Sequence, residues 1–477
     1  MGGKAGRATT KASSTPRKRD PIDEAHAAVA AKQPERALQL LRDAYASART
    51  NTRRAKLQGA LRDHGNTYMW REDWPHAIAF YEAALAGHRD GDDTELVGEV
   101  ANQACWACLR AKRLDDAIAH GERALAWHRE AGRWRGVGIA HYYLAGVEFE
   151  RGRVPEAIAH AGHALAATEQ TGDQNQRVAY LTGVAAYHYH AGNTVECEQL
   201  ARQALPLAEA LGMEGYEAHL WVLLGNVALD DGRLDDAEQR YAEAEQRFRR
   251  GGQRNDAAIA TGNLGNLALE RGDLALALER LDRAAATHEK EHDERSLAIV
   301  LTDRGAVKTE LGDHAGAQDD LDTALAILER LGHTRRVGFV RGRFAKLAEA
   351  REAWQEARAH YAEMEIALDA VEDRVELARM LYAAAGVEAE LGDSTAADAL
   401  IARADELAAQ VTSAHGTRVA HALREVALAR REVGHDRAAA ARLAAIDPAL
   451  LAVSSELRRV AIRLRRAIGA TRNGSAV

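Results

Sequence analysis

Glycines at 152, 192, 232, 272, 312 and 392 are separated by multiples of 40 residues. Each sits in a short turn signal, such as Ala191-Gly192-Asn193, Asp231-Gly232-Arg233 or Leu311-Gly312-Asp313. Lys32, Glu72, Lys112 and Glu352 hold the same phase without glycine, and Gly434 comes two residues late. A fixed period of this length means stacked supersecondary units, each burying its core only against its neighbours. That removes the size limit which one compact core would place on 477 residues.

Other columns keep the period. Five residues after each turn stands a small residue: Ala37, Ala77, Ala117, Ala157, Cys197, Ala237, Ala277, Ala317, Ala357 and Ala397. Seven before it stand Gly65, Cys105, Ala145, Ala185, Gly225, Gly265, Gly305, Ala345 and Ala385. Small residues let helix backbones approach, while Tyr81, Tyr241, Leu281, Leu321, Tyr361 and Ile401 fill the gaps between helices. Gly132, Gly172, Gly212, Gly252 and Gly332 mark a second loop. Each unit therefore reads as helix A, a turn, helix B and a loop. Only seven prolines and an alanine-rich apolar fraction agree with helix throughout.

At these columns the chain resembles the tetratricopeptide repeat (TPR) family. The resemblance rests on the pairs Leu224-Gly225 and Leu264-Gly265 in helix A, the turn glycine, Trp74 or Trp354 just after the turn, and the small-aromatic-small pattern of helix B. The family's usual unit is roughly 34 residues. The longer unit here resembles the subclass seen in Pins-type adaptors and many bacterial regulators. The resemblance implies an all-α fold, a right-handed α-α superhelix or TPR solenoid of about ten helix-turn-helix repeats over residues 21–446. Residues 1–20 are basic and read as a disordered tail. The first unit lacks a clear helix A pattern and reads as a cap. After Asp447-Pro448, residues 447–470 carry an amphipathic pattern that reads as a C-terminal capping helix, and 471–477 as a second disordered tail.

Several function classes are excluded or weakened. The net charge is −8 with acids and bases interspersed, which argues against a nucleic-acid partner. No apolar run approaches the ~18 residues of a membrane span. No apolar segment follows the basic N-terminus, so no secretory signal is read and a cytoplasmic location is expected. His288-Glu289-Lys290-Glu291-His292 matches HExxH, a zinc motif that needs one continuous helix. Here His292 falls in the second-loop glycine column, so the motif straddles a helix end and its residues read as solvated loop. Cys105-Trp106-Ala107-Cys108 lies mid-helix, where its thiols read as packing residues, as does Cys197. His188 is on the packing side and reads as a core histidine. No Walker loop, GxGxxG or GxSxG occurs. No cofactor, metal or catalytic residue is expected.

In the resembled family helix A lines the concave wall. The resemblance implies that positions 10, 6, 3 and 2 before the turn face inward, one stripe by helical spacing. Units two to five present aromatics: Met69, Trp70, Trp106, Tyr142, Phe149 and Tyr189. Units six and seven carry Asn226 and Asn266 in one column, with Asn66 matching in unit two. Units seven to ten turn charged, with Glu270, Asp303, Glu310, Arg343, Lys346, Glu349 and Glu390 beside Tyr382. Aromatic anchors and amides suit an extended peptide, whose backbone offers both donors and acceptors. In Pins-type relatives asparagines in this column do that. Trp74, Trp221 and Trp354 fall instead in packing columns.

The leading expectation is a scaffold or adaptor holding a protein or peptide partner in the groove through Asn66, Trp70, Trp106, Tyr142, Tyr189, Asn226, Asn266, Asp303, Arg343 and Lys346. A second is a peptide- or ligand-sensing regulator of bacterial type, which the Ala/Arg/Gly bias suits. With only 20 residues ahead of the array, its output would need a partner. A remote third is a metal-dependent enzyme built on His288 and His292.

Overall fold

The computed structural model describes residues 20–86, 94–370, 374–409, 414–432 and 436–446, together with Leu464. Among the described residues there are 22 helices and no strand. They alternate along the chain as A and B helices, an all-α helical repeat solenoid, the last two being Ala414–Arg431 and Asp436–Ala444. The first helix A, Pro21–Ala30, is short and is capped by the Asp20 carboxylate. Residues 1–19, nearly all of 447–470, and 471–477 lie outside the described residues, so the tails and the expected capping helix do too. Two compact units divide the chain, Met1–Val147 and Glu148–Val477.

Repeat 6 shows how the sequence writes one unit. Helix A runs Glu214–Asp230 and helix B Leu234–Arg250. Gly232 takes φ 72°, the left-handed conformation that ends a helix. Its N–H donates to Leu229 O at 2.9 Å, and the next N–H, of Arg233, donates to Ala228 O at 2.8 Å. These are the paired bonds of a Schellman motif, and they satisfy carbonyls that the helix end would leave open. Where Asp follows the turn glycine, it starts helix B. Asp273, Asp313 and Asp393 each accept from a backbone N–H three residues on, at 3.0–3.1 Å. Lys32, Glu72, Lys112 and Glu352 hold the same left-handed turn at φ 56–60° without glycine.

In the second unit, helix B of repeat 6 packs between its own helix A and the next one, Arg254–Arg271. The A helices of neighbouring repeats also touch, as Gln174–His190 does Glu214–Asp230, and Glu294–Leu311 does Thr334–Ala350. B helices do not approach one another as closely there, so the A helices form the tighter, inner layer. Interior volume comes from the alternation of small and large columns. Ala237, Ala244, Ala277 and Ala284 are fully buried, with Tyr241 and Leu281 between them.

Candidate functional site

The asparagine column is oriented by the column of large residues on helix B. In repeat 6 the phenol of Tyr241 donates to Asn226 Oδ1 at 2.8 Å, and in repeat 2 Tyr81 donates to Asn66 Oδ1 at 2.7 Å. Each amide keeps its NH2 group without a protein partner among the described residues. Gly225, just before Asn226, makes room for the ring: a Cβ there would lie 2.6 Å from Tyr241. Repeat 7 has Leu281 in the tyrosine's place. Asn266 therefore turns elsewhere, and its Nδ2 donates to Asp303 Oδ2 at 2.8 Å.

Around that last pair the second unit gathers a polar cluster from helices far apart in sequence. Helix A of repeat 5, Gln174–His190, brings Tyr189 and His190. Burial, with the Asp230 carboxylate nearby, holds the Tyr189 phenol well above its usual range. Burial also pushes the Asp230 carboxyl up to about 6, against the pull of Tyr189 and Arg379. Solvent still reaches Asp230, yet protein surrounds it on most sides.

Helix A of repeat 9, Thr334–Ala350, brings Arg335, Arg336, Phe339 and Arg343. Arg335 Nη1 donates to His190 Nδ1 at 3.3 Å. The His190 ring lies 4.9 Å from that of Phe149. Burial, and the nearby guanidiniums of Arg335, Arg336 and Arg295, hold His190 down to about 3, so the imidazole is neutral and accepts. The guanidiniums of Arg335 and Arg336 sit 5.3 and 5.7 Å from the Phe339 ring centroid.

Arg336 and Arg343 form no hydrogen bond or ion pair among the described residues, although both feel the Asp303 carboxylate. Burial and repulsion from Arg335 and Arg295 lower the Arg336 pKa, and Asp303 opposes this only in part. Burial raises Asp303 in turn, which Arg343, Asn266 and Arg336 resist. A small cavity of about 50 Å³ opens here, lined by Ile299, Thr302, Asp303, Arg336, Phe339 and Arg343 among others. The remaining expected residue, Lys346, is committed elsewhere. Its Nζ lies 3.3 Å from Glu349 Oε1, in a network with Tyr361 and Arg430.

The first unit gathers a different set. The Trp106 ring stacks on Tyr143 at 5.2 Å, and Arg110 lies 5.5 Å from it and 5.3 Å from Trp74. Tyr142 stands 6.2 Å from Tyr143. Trp106 is half-buried against the core, as Trp74 is, whereas Trp70 is 83% exposed. Trp221 and Trp354 are likewise half-buried against their cores.

The two chemical motifs resolve by position. His288 is not solvated loop, as its neighbours in sequence imply, but fully buried inside Leu274–Lys290 with Nδ1 3.0 Å from Asn255 Oδ1. Its column is a core column, held by buried Phe248 and Leu328 in other repeats. His292 is exposed at φ 57°, past the helix end. Among the described residues no group of three or more His, Cys, Asp or Glu side chains is placed to hold a metal. Cys105 and Cys108 are buried, and burial pushes both thiols up to about 12.

Residues 216–290 match the tetratricopeptide repeat family. With the helix pairs and turns described above, that decides the assignment of repeats 6 and 7. They are tetratricopeptide repeats, and the helix pairs on either side repeat the same fold. No curated protein sequence matches it. Among solved structures the TPR array is similar to a Rap protein complexed with competence and sporulation factor, at 15% identity and TM-score 0.57, covering 75% of this chain and 99% of that one. It is similar to the Rap conjugation gene regulator of the plasmid pLS20 in complex with a peptide, at 14% identity and TM-score 0.52, covering 74% and 95%. It is also similar to the apo quorum sensor NprR from B. thuringiensis, at 12% identity and TM-score 0.51, covering 73% and 97%. At such identities the likeness is one of fold. No helix among the described residues is long and apolar enough to cross a membrane.

Sequence reasoning missed His190, Asp230, Arg295, Arg335, Arg336 and Phe339. A signal was there. The inward stripe at 2, 3, 6 and 10 before the turn continues by the same helical period to about 13 and 16–17, where Phe339, Arg336 and Arg335 stand.

Proposed function

We propose that this TPR protein is a non-catalytic, cytoplasmic interaction protein that binds a peptide segment of a partner along the A-helix wall of its second unit. The observation that carries the reading is the meeting of half-buried polar side chains from repeats 5 to 9 whose hydrogen-bonding capacity is not used up. Arg336, Arg343 and the Asn226 NH2 group have no protein partner among the described residues. Unpaired polar groups in a partly desolvated wall are costly unless a ligand supplies the partners. An extended peptide has both donors and acceptors to supply, and Tyr189 with Phe339 offers it flat apolar surface. In the first unit, exposed Trp70 and the Trp106 and Tyr142 rings about Tyr143 are candidate contacts of their own.

A second reading, a ligand-responsive regulator, is favoured by the Arg335–His190 bond, which ties repeat 9 to repeat 5. A ligand that competes for Arg335 would alter that tie, and a population shift needs such a differential interaction. The pLS20 regulator is in complex with a peptide and NprR is a quorum sensor; a comparable role for this chain belongs to this second reading.

The test is partner capture from the native host with the wild-type chain and with Asn266→Ala and Trp106→Ala. Both variants should keep their helical circular dichroism. Asn266→Ala should weaken capture if the second unit is the site, and Trp106→Ala if the first unit also takes part. Undiminished capture by both would sink the groove assignment.

A further inference from the structure

The guanidiniums of Arg295, Arg335, Arg336 and Arg343 gather near the carboxylates of Glu150 and Asp303. Glu150 lies 3.9 Å from Arg295, and Asp303 accepts from Asn266. Arg335 donates to His190 and Arg295 lies near Glu150, whereas Arg336 and Arg343 have no hydrogen bond or ion pair among the described residues. Protein around Arg336 removes much of the water that would otherwise stabilise it, which is why its charged form is disfavoured. A half-buried guanidinium kept in this state destabilises the empty protein unless an anion arrives.

The surroundings narrow the anion. The cavity of about 50 Å³ has room for a carboxylate or a small side chain. Ile299 and Phe339 make part of its lining apolar, which suits carbon next to the anionic group. Thr302 adds a hydroxyl whose Oγ1 already donates to Ala298 O at 2.7 Å, so it is left as an acceptor. Planar guanidiniums pair most favourably with planar carboxylates, two parallel N–H bonds at a time.

We propose that Arg336 and Arg343 form a carboxylate site for the bound peptide, taking its free C-terminus or an acidic side chain. The proposal rests on the peptide-binding reading above and names the chemistry of that ligand. The Asn266–Asp303 pair positions the site: it holds Asp303 within reach of both arginines without closing a salt bridge on either.

The experiment uses the full chain and two random hexapeptide libraries, one with free C-termini and one amidated, with inorganic phosphate as a separate probe. Peptides retained by the wild type are sequenced. Acidic residues, or dependence on the free C-terminus, should be enriched. Arg336→Gln should lower retention about tenfold, in keeping with loss of a charge-assisted pair, and Arg336→Lys should restore part of it. Without ligand, Arg336→Met should melt higher than wild type, a gain that a merely structural arginine would not give. Peptides retained without a carboxylate preference, or retained equally by Arg336→Gln, overturn the carboxylate site and leave the peptide reading standing. Retention of neither library overturns both. Stabilisation by phosphate alone, abolished in Arg336→Gln, assigns the arginines to a phosphate ligand and overturns the peptide source.

Discussion

The guanidinium of Arg335 donates to the imidazole of His190 across 145 residues of sequence, from repeat 9 to repeat 5. The bond requires a neutral imidazole, because a protonated ring has no acceptor. Arg335, Arg336 and Arg295 face that ring, with Phe149 and Tyr189 beside it. In the unfolded chain His190 takes up a proton near its ordinary pKa of about 6.5. In the native protein it does so only at about 3. The unfolded state therefore binds more protons between those values, and the His190 contribution to stability is lost as pH falls from about 6.5 towards 3. His190→Gln keeps an acceptor without the titration. Melting temperatures from pH 7 to pH 5 should fall more steeply for wild type than for His190→Gln. Parallel curves would mean an imidazole that titrates normally.

A second prediction concerns the fit between Gly225 and Tyr241. An added Cβ would stand 2.6 Å from the ring, which Ala228, Ala237 and Leu264 confine within the core. Gly225→Ala should therefore cost about 1–3 kcal/mol, as overpacking does, and should disturb the hydrogen bond that orients Asn226. Gly59, inside Asn51–Met69, has nothing within 4 Å of such an atom. Gly59→Ala should gain about 0.5–1 kcal/mol from helix propensity alone. Thermal denaturation of both variants makes the comparison; destabilisation of both by similar amounts would contradict it.

Those packing columns show what the sequence could and could not carry. The repeat phase located nearly every turn, because glycine at φ 72–82° and its non-glycine equivalents recur at one position. It also placed Cys105 and Cys197 in the core, where burial is set by column. The direction of a side chain within its column was harder to read. Asn226 and Asn266 share a position and differ in partner because residue 241 is tyrosine and residue 281 is leucine. His288 misled for the opposite reason: its motif neighbours are loop residues, while its own column is core. The meeting of His190 with Arg335 depends on how repeats 5 to 9 curve together. That is a sum of small packing angles with no local signature.

The turn column supplies a third prediction. Glu352 holds φ 59° where most repeats have glycine. The left-handed conformation costs a residue with a Cβ roughly 1–2 kcal/mol, and part of the relief in a glycine variant is returned as unfolded-chain entropy. Glu352→Gly should thus gain about 0.5–1 kcal/mol. Gly312, at φ 80° with open space around it, is the reverse case, and Gly312→Ala should lose about 1 kcal/mol. Chemical denaturation midpoints of the two variants should shift in opposite directions. A shift in the same direction would show that these turns are not limited by backbone strain.

The fourth prediction decides what Lys346 is for. Its sequence column points to the groove, yet its ammonium lies 3.3 Å from the buried Glu349 carboxylate. Glu349 also accepts from Tyr361 at 2.6 Å and from Arg430 at 3.1 Å. Lys346, Arg430 and the Tyr361 hydroxyl hold its pKa below the usual carboxylate value despite burial. A depressed carboxyl pKa contributes stability above its unfolded value that is lost as pH falls through the native one. Glu349→Ala would leave Arg430 buried without this partner, and should cost about 3–5 kcal/mol. Lys346→Met keeps the aliphatic stem and leaves Glu349 two donors, so its cost should be nearer 1 kcal/mol. If Lys346 serves the network alone, Lys346→Met binds partner as wild type does and melts slightly lower. If binding falls while the melting temperature holds, the ammonium reaches the partner, and the groove extends past repeat 9's arginines towards its turn.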